Sequence, residues 1–167
     1  RARRRAGRTP SVLPPISQAM REAALPILEA RGADLVLAGH SHSYERSFLL
    51  DGHYGHSSTL DPESMILDGG DGSPSGDGAY FKSTAVHGGA VYLVAGSAAR
   101  LVPAALDHPA MHAGIADFGS VVLDFDGDRV LVRFLDGSGV VRDDFTLVKP
   151  GVPLFDVQTL AQHIAFA

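Results

Sequence analysis

The sequence predicts a layered α/β protein, and three observations carry that prediction. Ala19, Met20, Ala23, Ala24, Ile27 and Leu28 recur at helical spacing. The short apolar run Leu35 to Leu37 follows directly, between turn signals. The second half then supplies several runs with strand-like apolar patterning. Helix, short turn and buried strand, followed by further strands, is the order from which layered α/β folds are built.

Residues 1–16 read as irregular, with Pro10, Pro14 and Pro15 and little periodicity. Ser17 is placed to cap the first helix, Gly32 to end it, and Pro26 to kink it or split it in two. Asp34 to Ala38 is expected to be a strand buried on both faces. The stretch from Gly52 to Gly89 reads as a long loop, rich in Gly, Ser, Asp and Pro and including "LDGGDGSPSGDGAYFKS". Ala90 to Ala95 reads as a strand. Ser120 to Phe125 and Arg129 to Leu135 read as a hairpin across Asp126-Gly127-Asp128, and Val140 to Val148 adds another strand. A short helix is expected over 157–166. The organisation that results is a basic irregular segment over 1–16, a folded body over 17–149 and a tail over 150–167.

Composition limits the function classes. A hydrophobic fraction of 45 % permits a core, and with no cysteine there are neither disulfides nor thiolate metal sites. Net charge is −5. Arg1, Arg3, Arg4, Arg5 and Arg8 crowd the first eight residues; the remaining 9 of the 14 basic residues face 19 acidic ones. An acidic body argues against a nucleic-acid groove, which needs cations against phosphates. No run reaches the roughly 18 apolar residues of a membrane span.

The chemistry centres on "LVLAGHSHSYER", residues 35–46. In an extended backbone His40 and His42 project to the same side, with Cα atoms about 6.5 Å apart. That separation suits two ligands reaching toward neighbouring ions about 3.5–4 Å apart. Gly39 lets the chain turn sharply beside them. Tyr44, Glu45 and Arg46 are candidates to brace the imidazoles, Glu45 by accepting the second ring N–H; a surface Glu–Arg pair is the plain alternative. Asp68, Asp71 and Asp77 lack the spacing of a calcium loop and read as solvated. His53, His56, His87, His108, His112 and His163 are scattered and read as packing or surface groups.

"GHSHSYER" after "ADLVLA" resembles the last signature of the calcineurin-like metallophosphoesterases, in particular the purple acid phosphatase-like branch. The resemblance runs from "MREAALPILEARGADLVLAGHSHSYERSFLLDGHYG" through "GGAVYLVAGS", "DHPAM" and "FGSVVLDFDGDRVLVRFLD", residues 20 to 147. It implies the C-terminal portion of a layered α/β-β/α sandwich, a partial metallophosphoesterase domain over 17–149. It also implies a dinuclear site of iron, manganese or zinc, with His40 on one ion and His42 on the other, hydrolysing phosphate monoesters.

The family pattern has further Asp, Asn and His ligands upstream. The 39 residues before His40 contain no His, no Asn and one Asp, Asp34, at the far end of its strand from His40. The expectation is therefore a C-terminal fragment, inactive alone, whose partners are a phosphate ester and a missing N-terminal half, not nucleic acid or membrane. The compartment stays open, with secretion or another extracytoplasmic place the expectation for the complete protein. The alternatives are a non-catalytic binding or structural module, the C-terminal partner of a split phosphoesterase, and a mononuclear site of His40, His42 and one carboxylate.

Overall fold

The computed structural model describes residues 15–101 and 105–151. The expected helix over 157–166, His163 and the basic head lie outside them. Helix α1, Pro15–Ala30, is followed by β1 (Leu35–Ala38) and β2 (Tyr44–Leu50). A 3-10 turn at Ser57–Thr59, the short α2 (Pro62–Met65), β3 (Ile66–Asp68) and β4 (Tyr80–Phe81) come next. Then follow β5 (Ala90–Ala95), β6 (Met111–Ile115), β7 (Gly119–Asp126), β8 (Arg129–Asp136) and β9 (Val141–Val148).

Helix α1 starts two residues before Ser17 and runs through Pro26 unbroken. Pro26 removes the bond to the Glu22 carbonyl, but Glu22 is exposed, so water can take that acceptor. The helix stops where expected. Gly32 has φ +75°; its N–H donates to Glu29 O at 2.9 Å, and Ala33 N–H donates to Leu28 O at 3.0 Å. These two bonds form a Schellman cap, and the left-handed residue at its centre favours glycine.

The strands form two sheets. In the first, β5 is central, flanked by parallel β1 and antiparallel β2. The far edge of β2 pairs with β6 along Tyr44–Ser47 and with β3 along Leu49–Leu50. The second sheet has the order β4-β9-β8-β7. The two sheets face each other across one core. Tyr44, Leu49, Val91 and Leu93 come from the first; Tyr80, Val130, Val132, Phe134, Phe145 and Leu147 come from the second. Tyr92, between Val91 and Leu93, points to the opposite face, where its hydroxyl meets Glu29 of α1. The layers are therefore helix, sheet and sheet.

Two expectations need correction, and two strands lie where none is expected. β1 is not buried on both faces: Leu37 is 49 % exposed and Ala38 is exposed, because β1 pairs only with β5 among the described residues and forms an edge. The stretch 52–89 is not a bare loop; it contains the 3-10 turn, α2, β3 and β4. The strands β2 and β6 were not foreseen. The strands β5, β7, β8 and β9 lie within two residues of their expected bounds.

Candidate metal-binding loop and its surroundings

β1 and β2 lie on either side of β5, so the loop 39–43 must cross the C-terminal end of β5. It spans two strand spacings, about 10 Å. Gly96 lies directly beneath it. The Gly96 N–H donates to Ser43 O at 3.1 Å, and a Cβ on Gly96 would stand 1.8 Å from Ser41 O. Only glycine fits so close a crossing. Above it the chain bends: Ser41 N–H donates to Gly39 O at 3.0 Å, and His40 has φ +72°. The segment is thus not extended at His40, and the i, i+2 argument for parallel imidazoles does not describe this backbone. A chain that reverses direction over one strand has to turn, and His40 takes the left-handed residue of the turn. His40 is exposed and His42 half-buried. Neither ring enters a hydrogen bond among the described residues. At the same strand end the Ser97 hydroxyl is buried without a partner.

The three residues after this loop are engaged elsewhere. Tyr44 and Arg46 share the face of β2 that looks into the intersheet core. The Tyr44 hydroxyl donates to Asp143 Oδ2 at 2.6 Å. Arg46 donates from Nε to Oδ2 at 2.6 Å and from Nη2 to Oδ1 at 2.7 Å, a bidentate pair with the same carboxylate. Its Nη1 donates to Asp71 O and to the Tyr80 hydroxyl, and the guanidinium lies 4.8 Å from the Phe145 ring centroid. Burial alone would lower the Arg46 pKa; the Asp143 hydrogen bonds and charge outweigh it and leave it raised. Burial, then Asp143, pushes the Tyr44 phenol up. Glu45, on the opposite face, accepts from Ser43 Oγ at 2.7 Å. The polar atoms of Tyr44 and Arg46 are thus spent on joining the two sheets, and no hydrogen bond from these three residues reaches His40 or His42.

Asp34 lies at the other end of β1, paired with Lys82 at 2.7 Å and Lys149 at 3.0 Å. Asp71 and Asp77 close their own loop: each accepts the backbone N–H of the other, at 2.9 Å and 3.2 Å. Sequence reasoning missed a different grouping. Glu29, Asp51 and His87 bring one ligand atom each within 4.8 Å of one another and could hold a metal ion. Glu29 is 2 % exposed and already accepts from the Tyr54 and Tyr92 hydroxyls and from Gly52 N–H, so it also ties α1 to the first sheet. Burial, then Glu29, raises both phenols. His87 faces Asp51 with Nδ1 and Oδ1 3.1 Å apart. No local motif marks this set, because its members come from a helix, a strand end and a loop. Among the described residues it is the only such trio found, and it does not include His40 or His42.

No protein-family model and no curated protein matches the chain. Solved structures do. Purple acid phosphatase PPD1 from yellow lupin (Lupinus luteus) seeds superposes with a TM-score of 0.51 at 19 % identity, over 78 % of this chain and 19 % of that one. GAP50, the anchor in the inner membrane complex of Plasmodium, superposes with a TM-score of 0.53 at 15 % identity, over 89 % of this chain and 36 % of that one. The chain spans about a fifth and about a third of these two proteins. The layered helix and paired sheets thus match part of a purple acid phosphatase-like fold.

Proposed function

We propose that this chain supplies the two-histidine loop of a metal-dependent phosphoesterase that hydrolyses phosphate monoesters. The observation that carries the reading is the placement of His40 and His42 on a loop held over the C-terminal ends of parallel β1 and β5, where ligands gather in open α/β sheets. Both imidazoles are accessible and free of internal hydrogen bonds, so the donor set suits iron, manganese or zinc as two of the ligands required. Bound ions of this kind activate water and neutralise charge on the phosphoryl oxygens. The chain's own part is to hold two imidazoles. Gly96 lets their loop close over β5, and the Arg46–Asp143 pair fixes the start of β2 immediately after it. The remaining ligands are proposed to come from a separate N-terminal half.

A second reading is a binding or structural module. Two observations favour it: one similar structure is an anchor, and no third metal ligand gathers with His40 and His42 among the described residues. Metal binding and turnover separate the readings. Zinc or manganese titration of the chain should show weak binding lost in His40→Ala and His42→Ala, with no turnover of an aryl phosphate, because two imidazoles leave most of a dinuclear coordination sphere to water. Metal binding unchanged by both substitutions would favour the module. Turnover in the ordinary enzyme range, abolished by His40→Ala, would mean that the chain holds a complete site.

A further inference from the structure

His53 lies in the loop after β2. It is 8 % exposed, and both its ring nitrogens are buried without a hydrogen-bond partner. A buried imidazole left so costs stability, because its polar atoms have given up water and gained no partner. Its surroundings are basic. The His108 ring lies 5.7 Å from it, centroid to centroid, tilted by 53°. Arg21 of α1 reaches the same loop, donating to Tyr54 O at 3.3 Å and Gly55 O at 3.0 Å. His56 follows three residues after His53 in the same loop, next to Gly55, whose carbonyl Arg21 binds. The acidic groups nearby are Glu22 on α1 and Asp107 beside His108, both exposed and hence screened by water.

The tautomers decide what such a cluster can bind. His108 Nδ1 accepts the Ala110 backbone N–H at 3.2 Å, and His56 Nδ1 accepts the Ser58 backbone N–H at 3.2 Å. In each neutral ring the proton therefore sits on Nε2, which is left as a donor. A metal ion needs a lone pair at that position. An oxyanion needs the N–H. Arg21 adds further donors and no acceptor.

We propose that Arg21, His53, His56 and His108 form a binding site for a small dinegative oxyanion of sulfate or phosphate size, separate from the His40/His42 loop. The bound charge supplies acceptors to His53 and to the two Nε2–H groups, and it offsets the mutual repulsion of the basic groups. Binding is coupled to protons. Without the anion, burial, then His53, Arg21 and His56, bring the His108 pKa down to about 4. An anion reverses the charge contributions, so it draws protons onto the rings and binds more tightly as pH falls below the ordinary histidine value of about 6.5.

The test uses the whole chain, metal-free, with inorganic sulfate, whose charge stays constant over the range. The eight histidines are followed by the proton NMR signals of their rings. Signals of His53 and His108 are assigned with His53→Gln and His108→Asn. Sulfate is expected to shift both, with affinity about tenfold tighter near pH 5 than near pH 7.5, the effect of about one coupled proton. Arg21→Gln is expected to weaken binding about tenfold at both pH values, while Asp107→Asn strengthens it. The wild-type titration is decisive even where a substitution unfolds the chain. No shift at His53 and His108 near pH 5, equal affinity at both pH values, or shifts confined to His40 and His42 would each overturn the proposal, whatever the outcome of the metal titrations.

Discussion

Arg46 is the side chain whose removal should cost most. It is 1 % exposed, doubly bonded to Asp143, and bonded again to Asp71 O and the Tyr80 hydroxyl. Arg46→Met leaves Asp143 only 12 % exposed and without its cation. The expected loss is about 3–5 kcal/mol, the range for breaking a buried pair from one side. Arg46→Met with Asp143→Leu should recover part of it, since no charge is then stranded, and urea denaturation curves of the single and double variants check this. His108 sets a pH dependence. Its folded pKa, about 4, lies below the unfolded value near 6.5, so between these values the unfolded chain binds the extra proton. Stability is then complete above about pH 6.5, falls as pH drops toward about 4 and levels off below it. In low-sulfate buffer His108→Asn, which keeps an acceptor for Ala110 N–H but cannot titrate, should flatten that slope; an unchanged slope would assign the acid sensitivity elsewhere.

Gly96 and the loop it accommodates act as one element. Gly96→Ala sets a Cβ against the Ser41 backbone carbonyl, and a backbone atom cannot swing aside as a side-chain end can. The variant should lose thermal stability and shift the His40 and His42 ring signals. Gly69→Ala, whose Cβ would meet only Ile66 Cγ2 at 3.6 Å, should do neither. The same contrast between local and distant causes explains what the sequence disclosed. Helix α1, β5 and the β7–β8–β9 meander were legible because spacing, a capping glycine and turn residues act over a few positions. β2 was hidden. Its buried Arg46 breaks the apolar pattern, and the Asp143 that makes this burial tolerable lies 97 residues away. The histidine loop was legible as a motif, but its left-handed turn was not, since it follows from β1 and β2 flanking β5. Glu29–Asp51–His87 and His53–His108 exist only once α1, the loops and the sheet are brought together.

The whole molecule leaves one sheet edge open. Among the described residues β1 has a strand partner on one side only, and Leu37 on it is 49 % exposed. An open strand edge that carries an exposed apolar side chain is a template for another chain, and natural edges usually carry a charge or a bulge to prevent this. β1, "LVLA", has neither. Two copies can meet there about a two-fold axis, each edge pairing antiparallel with the other. Burying a few hundred Å² in this way, at about 25 cal/mol per Å², amounts to several kcal/mol before the cost of association. The purified chain should therefore associate as concentration rises, and its melting temperature should rise with it. Leu37→Lys places like charges on the meeting edges and should yield a monomer in analytical ultracentrifugation, with little loss of stability because the position is exposed. A wild-type chain that sediments as a single monomer at every concentration, with a sharp and high melting transition, would show that this face needs no cover.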